Sequence, residues 1–230
     1  MKDAFVNSIY FGIVLSLAAY GLGVWLKKKL KKGFVNPLLV SAIVIIGVLL
    51  LFDIDYASFN EGGKYISYLL TPATVCLAIP MYKQLQLLKA YRKAVVFGLL
   101  AGVLASLISV LGLSVLFGLT HRQYVTLLPK SITTAIGLGV SEELGGLPAI
   151  TVAVIIITGL LGNVTAQGFC RLVRIKDPVA VGLAIGTSSH ALGTARALEL
   201  GEVQGAMSSL AIVAAGLLTA AGASVFAMLW

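Results

Sequence analysis

The chain has 230 residues, of which 59% are hydrophobic and only 11% are charged, and its formal net charge is +8. A soluble domain is about 45–50% apolar and about 25% charged, so this composition excludes an ordinary water-soluble protein. The basic residues stand in short clusters between apolar runs, which argues against a nucleic-acid groove and is typical of the loops of a membrane protein.

Eight apolar segments follow one another along the chain. Their predicted ranges are 7–26, 36–52, 65–81, 92–118, 128–146, 147–170, 178–198 and 205–229. A bilayer core of about 30 Å needs about 20 apolar residues per helical crossing, so most of these segments are long enough to cross. The first is a retained helix and not a signal peptide, because its basic cluster, Lys27–Lys32, comes after the apolar run.

The basic connections set the orientation of these segments. The positive-inside rule places Lys27–Lys32, Lys83–Lys93 and Arg171–Lys176 in the cytoplasm. The loop Asp53–Glu61 and the loop at His121 then lie outside. An odd number of crossings must connect the His121 loop with the third basic cluster, yet two apolar segments lie between them. One of the two is therefore predicted not to cross.

The segment that we expect not to cross is 128–146, which reads LPKSITTAIGLGVSEELGG. It carries Pro129, Lys130, several hydroxyl residues and the pair Glu142 and Glu143. Irregular backbone at membrane depth is tolerated only where it is buried in protein or faces water. We therefore predict a re-entrant or broken element that lines a cavity.

Two further segments are irregular. Residues 182–199 read GLAIGTSSHALGTARALE, and residues 69–80 read LLTPATVCLAIP, with two prolines that interrupt a helix. Each precedes a long apolar span. Three crossings in 36–118 and three in 147–229 would run in opposite senses, which is the inverted repeat of transporters whose broken helices meet near the membrane midplane.

The predicted architecture is an all-α polytopic membrane protein in one domain over residues 1–230. We expect about seven transmembrane helices plus a re-entrant or broken segment, with possible repeats at 36–118 and 147–229. The Gly-rich spans allow close contact between helices, so a homodimer or higher oligomer is also predicted.

Positively charged side chains on the irregular segments predict a site for a small anion. An ammonium at membrane depth costs about 2.5–3.5 kcal/mol, so Lys130 either binds a carboxylate or reaches the outer interface. His190 can carry a coupled proton or can be a structural histidine satisfied by a hydroxyl. Arg196 can grip a carboxylate with two hydrogen bonds or can pair with Glu199.

Hydroxyl side chains complete the predicted site, because they offer hydrogen bonds without the desolvation cost of a charge, although helix packing is an alternative use for them. The predicted substrate-binding residues are Thr71, Thr74, Lys130, Ser131, Thr133, Thr134, Thr187, Ser188, Ser189, His190, Thr194 and Arg196. No Ser-His-Asp order, metal-ligand spacing or phosphate loop accompanies them, so we expect no enzyme, no metal and no cofactor.

The strings LLPKSITTAIGLGVSEELGG and GTSSHALGTARALELGEVQGAMSSLA resemble the LrgB/CidB family of bacterial membrane proteins. The likeness covers nearly the whole chain and is nearer to the CidB-like branch. The resemblance implies a holin-like or antiholin-like protein that acts with a small LrgA/CidA-type membrane partner on murein hydrolase activity and autolysis. The plastid glycolate/glycerate translocator has a similar domain, and bacterial pairs of this type are linked to pyruvate uptake.

The sequence therefore leaves two alternative functions. The first, favoured by the polar broken segments, is a carrier for small monocarboxylates such as pyruvate, glycolate or lactate in the bacterial cytoplasmic membrane, working by alternating access. The second is the holin-like or antiholin-like role with the small partner, which needs helix packing more than a defined polar cavity.

Overall fold

The computed structural model describes residues 8–30, 37–69, 72, 75–76 and 78–230. Within these ranges the chain is helical and contains no β-strand, so the predicted all-α class is confirmed. The predicted site residues Thr71 and Thr74 lie outside the described residues. The chain divides into two compact units, Met1–Cys76 and Leu77–Trp230, and the single domain over 1–230 stays a prediction.

The described helices of the first unit are α1 (Ile9–Leu30), α2 (Pro37–Leu51) and α3 (Tyr56–Ser67). Helix α1 packs on both of the others. Its contact with α3 is backbone to backbone, because a Cβ atom added at Gly12 or Gly62 would overlap the main chain of the facing helix. Two glycines at the crossing thus let two helices of a small unit approach closely.

Helix α3 is a difference from the sequence prediction, which placed a loop at Asp53–Glu61 and an apolar segment at 65–81. The Asp55 carboxylate accepts a hydrogen bond from the Ala57 backbone N–H at 3.1 Å and so caps a helix that begins at Tyr56. That helix ends at Ser67 and is followed by turn residues. The predicted segment 65–81 is therefore not one helix.

The second unit contains the helices that carry most of the predicted site. They are α4 (Ala78–Lys83), α5 (Leu85–Ala90), α6 (Arg92–Phe117), α7 (His121–Leu127), α8 (Thr134–Glu143), α9 (Pro148–Leu172), α10 (Pro178–Leu200) and α11 (Glu202–Ala227). The bounds of α6, α9, α10 and α11 follow the predicted segments closely, because each begins or ends at a proline, a glycine or a charged residue.

The packing of α10 on α11 forms the largest helix contact of this unit. A Cβ atom at Gly182 would lie 2.5 Å from the Gln204 carbonyl oxygen, and one at Gly186 would lie 2.5 Å from the Ser208 carbonyl oxygen. The two glycines are four residues apart and lie on one face of α10, so the backbones of the two helices touch along a full turn.

Four described helices are long and apolar enough to cross a membrane: Ile9–Leu30, Arg92–Phe117, Pro148–Leu172 and Glu202–Ala227. Helix α2 is apolar but has only 15 residues, and α10 carries a polar centre. About seven transmembrane helices and the inverted repeat of 36–118 with 147–229 were predicted. Neither is confirmed by the part of the chain that the structure describes.

A short helical hairpin, α7 and α8, occupies the region where one segment was predicted not to cross. At about 1.5 Å per residue, the 7 residues of α7 and the 10 residues of α8 are too short for a core of about 30 Å. The Leu147 N–H donates to the Thr126 hydroxyl at 2.9 Å, so the chain returns to α7 after α8. This is the geometry expected of a re-entrant element.

Cysteine labelling tests the re-entrant hairpin. The chain has two free cysteines, Cys76, which is exposed, and Cys170, which is buried. In a Cys76→Ser background, we expect Thr120→Cys and Glu143→Cys to react with an impermeant maleimide from the same side of the membrane, because the hairpin returns to the side that it enters. Lys176→Cys, beyond the 25-residue helix α9, should react only from the opposite side. Labelling of Thr120→Cys and Glu143→Cys from opposite sides would show instead that the segment of α7 and α8 crosses the membrane.

Candidate functional site

The backbone of α10 is broken at His190, near the middle of the helix. His190 has φ 43° and ψ −142°, which separates residues 178–189 from residues 191–200. A positive φ is uncommon for a residue with a side chain and costs roughly 1–3 kcal/mol, so surrounding contacts must hold it. One of these is local, since the Thr194 hydroxyl donates to the His190 carbonyl oxygen at 3.0 Å.

The imidazole of His190 holds the break against α9. Its Nε2 lies 2.9 Å from the carbonyl oxygen of Ile155, and because a carbonyl only accepts, Nε2 carries the hydrogen. The side chain is only 3% exposed. In this conformation His190 is therefore a buried hydrogen-bond donor between two helices, and its partner is a backbone carbonyl and not the hydroxyl of the structural alternative weighed from the sequence.

Two glycines of α9 allow the broken region to come this close. A Cβ atom at Gly159 would lie 2.5 Å from His190 Cε1, and one at Gly162 would overlap the Ser189 hydroxyl oxygen. Both glycines lie near the middle of the 25-residue helix. The break in α10 therefore packs against the central part of a membrane-spanning helix.

Polar contacts continue this packing toward the end of α10. The Asn163 side-chain amide donates to the Leu192 carbonyl oxygen at 2.5 Å. The Arg196 guanidinium donates to Gln167 Oε1 at 2.6 Å and to Glu199 Oε2 at 2.5 Å. Arg196 thus ties α10 to α9 and is paired with Glu199, and in this conformation it does not face an open site for a carboxylate.

Lys130 lies in the turn between α7 and α8. Its ammonium group donates to the Ser131 hydroxyl at 2.9 Å, and the Ser106 hydroxyl of α6 donates to the same Ser131 oxygen at 3.0 Å. Ser106 is close to the middle of the 26-residue helix α6. The hydroxyl chain therefore places the turn that carries Lys130 near the mid-depth of a membrane-spanning helix.

Among the residues that the structure describes, Lys130 has no carboxylate partner, and its ammonium group donates to the Ser131 hydroxyl. An ammonium at this depth costs about 2.5–3.5 kcal/mol unless it is hydrated or paired. The Ser131 hydroxyl satisfies one of its three donors. The remaining two are available to water or to an anion.

A cavity of about 610 Å³ lies between α6, the first half of α10 and the turn with Lys130. Its volume is within the range of about 300–1,000 Å³ typical of small-molecule sites. Its lining combines one ammonium, several hydroxyls and many apolar side chains with the carboxylate of Asp177, which accepts a hydrogen bond from the Ala180 N–H at 2.9 Å and so caps α10. The lining residues are Tyr91, Ala94, Gly98, Gly102, Ala105, Ser106, Ser109, Lys130, Ser131, Asp177, Val179, Ala180, Leu183, Ala184, Thr187 and Ser188.

The cavity brings together some of the predicted site residues and separates others. Those that line it are Lys130, Ser131, Thr187 and Ser188. The remaining described candidates do not line it: Thr133, Thr134, Ser189, His190, Thr194 and Arg196. Thr133 is the N-cap residue before α8 and makes no side-chain capping bond, and the Thr194 hydroxyl lies 2.6 Å from that of Ser208 in the α10–α11 contact.

Helix α6 contributes lining residues that sequence reasoning missed. Gly98, Gly102 and Ser106 recur every four residues and so share one face of the helix. Their spacing was a usable signal, but the helix is apolar enough to be interpreted as a plain membrane span.

Within the described residues, no three His, Cys, Asp or Glu side chains gather as a metal site would need.

A stability measurement tests the packing that holds the break. We expect Gly162→Ala to lower the free energy of unfolding by about 1–3 kcal/mol, because its Cβ atom overlaps Ser189 and forces α9 away from α10. Gly168→Ala on the same helix is the matched control, since no atom lies within 4 Å of its added Cβ. Thermal unfolding in detergent is the measurement, and equal melting temperatures would show that α9 and α10 are not in contact there.

Comparison with known proteins identifies the relatives of this chain. The profile of the LrgB-like family matches residues 16–229. The chain is 41% identical over 211 residues to the antiholin-like protein LrgB of Bacillus cereus (strain B4264) and to that of Bacillus anthracis (strain A0248). The alignment covers 91% of this chain and 92% of each relative. No solved structure gives a significant match.

The name of these relatives agrees with the holin-like or antiholin-like alternative and not with the carrier that the sequence analysis favoured. The CidB-like branch stays a prediction. The family match together with four apolar helices of spanning length makes the chain a multi-pass membrane protein. By a match that covers nearly all of its length, the chain belongs to the LrgB-like family.

Proposed function

We propose that the chain is an antiholin-like protein of the bacterial cytoplasmic membrane that acts with a small LrgA/CidA-type partner on murein hydrolase activity and autolysis. The observation that carries this proposal is the 41% identity, over 91% of the chain, to proteins named antiholin-like. The alignment covers both compact units, so the proposal applies to the whole chain and not to one part of it.

The described helices fit such a role physically. Large apolar side chains are exposed along the membrane-spanning helices, for example Phe97, Ile108 and Leu116 on α6. In a bilayer these surfaces contact lipid tails or the helices of another membrane protein, and helix association there relies on close packing. A small membrane partner and self-association into a homodimer or higher oligomer both remain proposals.

An autolysis assay tests the antiholin-like role. In a bacterial strain without its own LrgB-like protein and partner, we expect the chain expressed with the partner to change the rate of detergent-induced autolysis and the murein hydrolase activity on zymograms. An unrelated multi-pass membrane protein at equal expression is the control. If neither measurement changes, with or without the partner, the proposal is wrong.

A second candidate function is a carrier for small monocarboxylates such as pyruvate, glycolate or lactate. The specific observation that favours it is the cavity in which Lys130 lies near the middle of the membrane-spanning helix α6, beside the broken helix α10. A holin-like role does not require a polar cavity at this depth, whereas broken helices around a central site are typical of secondary carriers.

The lining offers each kind of contact that such an anion needs. We assign neutralisation of the carboxylate to the Lys130 ammonium, and hydrogen bonds to keto or hydroxyl oxygens to Ser106, Ser131 and Ser188. A bound carboxylate would also offset the cost of holding the ammonium at membrane depth. Alternating access would then arise from movement of the two halves of α10 around the break at His190. The imidazole of His190 is buried, so it could take up a coupled proton only when this movement exposes it.

Uptake into proteoliposomes tests the carrier. We expect saturable uptake of labelled pyruvate by the wild-type chain and a loss of about 10- to 100-fold in Lys130→Gln, because a hydrogen bond to a charged group contributes about 1.5–3 kcal/mol. Lys89→Gln, at an exposed position outside the cavity, is the matched control. Equal uptake by the two variants contradicts the assignment of Lys130, and leakage of an unrelated dye without saturation favours a pore.

A further inference from the structure

Gly102 of α6 and Thr187 of α10 are in close contact in the cavity wall. A Cβ atom added at Gly102 would lie 2.7 Å from Thr187 Oγ1, 2.9 Å from its Cβ and 3.1 Å from its Cγ2. Both residues line the cavity. The missing side chain at position 102 is therefore what allows the two walls to meet without overlap.

Thr187 has little freedom to move away from a larger residue at position 102. Its hydroxyl donates to the Leu183 carbonyl oxygen at 2.8 Å, and its side chain is buried. A β-branched side chain in a helix has few rotamers, and any rotation keeps one branch in the contact. Because the backbone of α10 already touches that of α11 at Gly182 and Gly186, a methyl group at 102 must turn Thr187 into the cavity.

This contact lies directly beside the charged end of the cavity. Ser106 is one helical turn from Gly102 on the same face of α6, and its hydroxyl donates to Ser131, which also accepts from Lys130. A Thr187 side chain displaced by a larger residue at position 102 thus takes up space next to the ammonium group.

We propose that Gly102 is the specificity-determining residue of this cavity and that the absence of its side chain sets the size of the carboxylate that fits beside Lys130. The proposal rests on the carrier function described above. The neighbouring Gly98 has a weaker influence, because a Cβ atom there would meet only the flexible end of Leu183, at 3.2 Å.

The chain offers a matched control for position 102. Gly112 lies on the same helix, and no atom lies within 4 Å of a Cβ atom added to it. Gly102→Ala and Gly112→Ala therefore make the same chemical change and the same change in helix propensity, and they differ only in the contact with Thr187.

The first experiment is competition for labelled pyruvate uptake in proteoliposomes that contain the full chain, with unlabelled acetate, pyruvate, 2-oxobutyrate and the branched 3-methyl-2-oxobutanoate. We expect Gly112→Ala to match the wild type. In Gly102→Ala the inhibition constant of the branched acid should rise about 10-fold or more, as one methyl group in a tight site gives about 10- to 200-fold discrimination, while that of acetate changes little. Identical profiles for the two variants would overturn the proposal while leaving the carrier intact.

The second experiment measures the width of the cavity without transport. In a Cys76→Ser background, Ser106→Cys is labelled with methanethiosulfonates of increasing size in detergent-solubilised protein. Gly102→Ala should slow the bulky reagents at least 10-fold relative to Gly112→Ala and leave the smallest nearly unchanged. Equal rates overturn the role of Gly102. If proteoliposomes that contain the wild-type chain take up no acid, the proposed carrier function is wrong. The labelling rates then test by themselves whether Gly102 sets the width of the cavity.

A milder variant keeps the proposal testable if Gly102→Ala does not yield folded protein. Gly98→Ala meets only a flexible side-chain end, so it should fold and should slow the bulky reagents two- to threefold in the same direction. No difference between Gly98→Ala and Gly112→Ala in both labelling and competition would count against control of ligand size by this face of α6.

Discussion

The hydrogen bond from His190 Nε2 to the Ile155 carbonyl oxygen is the interaction on which the arrangement around the cavity depends. It holds a residue with positive φ at the middle of α10, where a continuous helix would otherwise be the more stable backbone. Because Gly159 and Gly162 carry no side chains, α9 can approach closely enough to accept this bond. The break is thus stabilised from a neighbouring helix and not by its own sequence alone.

The hairpin of α7 and α8 provides the opposite wall by a different physical route. Its helices are too short to cross a bilayer, so the turn between them lies partway along α6, where Lys130 and Ser131 meet Ser106. Two interrupted elements therefore lie near the middle of long apolar helices, Lys130 beside α6 and His190 beside α9. Irregular backbone at this depth is compatible with a membrane because it faces protein or a polar cavity and not lipid.

The family assignment and the cavity support different proposals for the function. The match to antiholin-like proteins covers nearly the whole chain, whereas the cavity rests on a few residues of the second unit. These proposals are physically compatible, since a membrane protein that acts with a partner can also bind a small anion. Saturable uptake and effects on autolysis are separate measurements, and each can succeed or fail without the other.

The sequence by itself determined the membrane class, the family and the irregular segments around Lys130 and His190, because hydropathy, prolines and motif strings are properties of the local chain. It also singled out Lys130, Ser131, Thr187 and Ser188. Only the tertiary structure decided that these four share a cavity with α6, while His190 and Arg196 bond to α9. The reason is that contacts between helices depend on the depth and rotation of each helix, which neither composition nor spacing within one segment can fix.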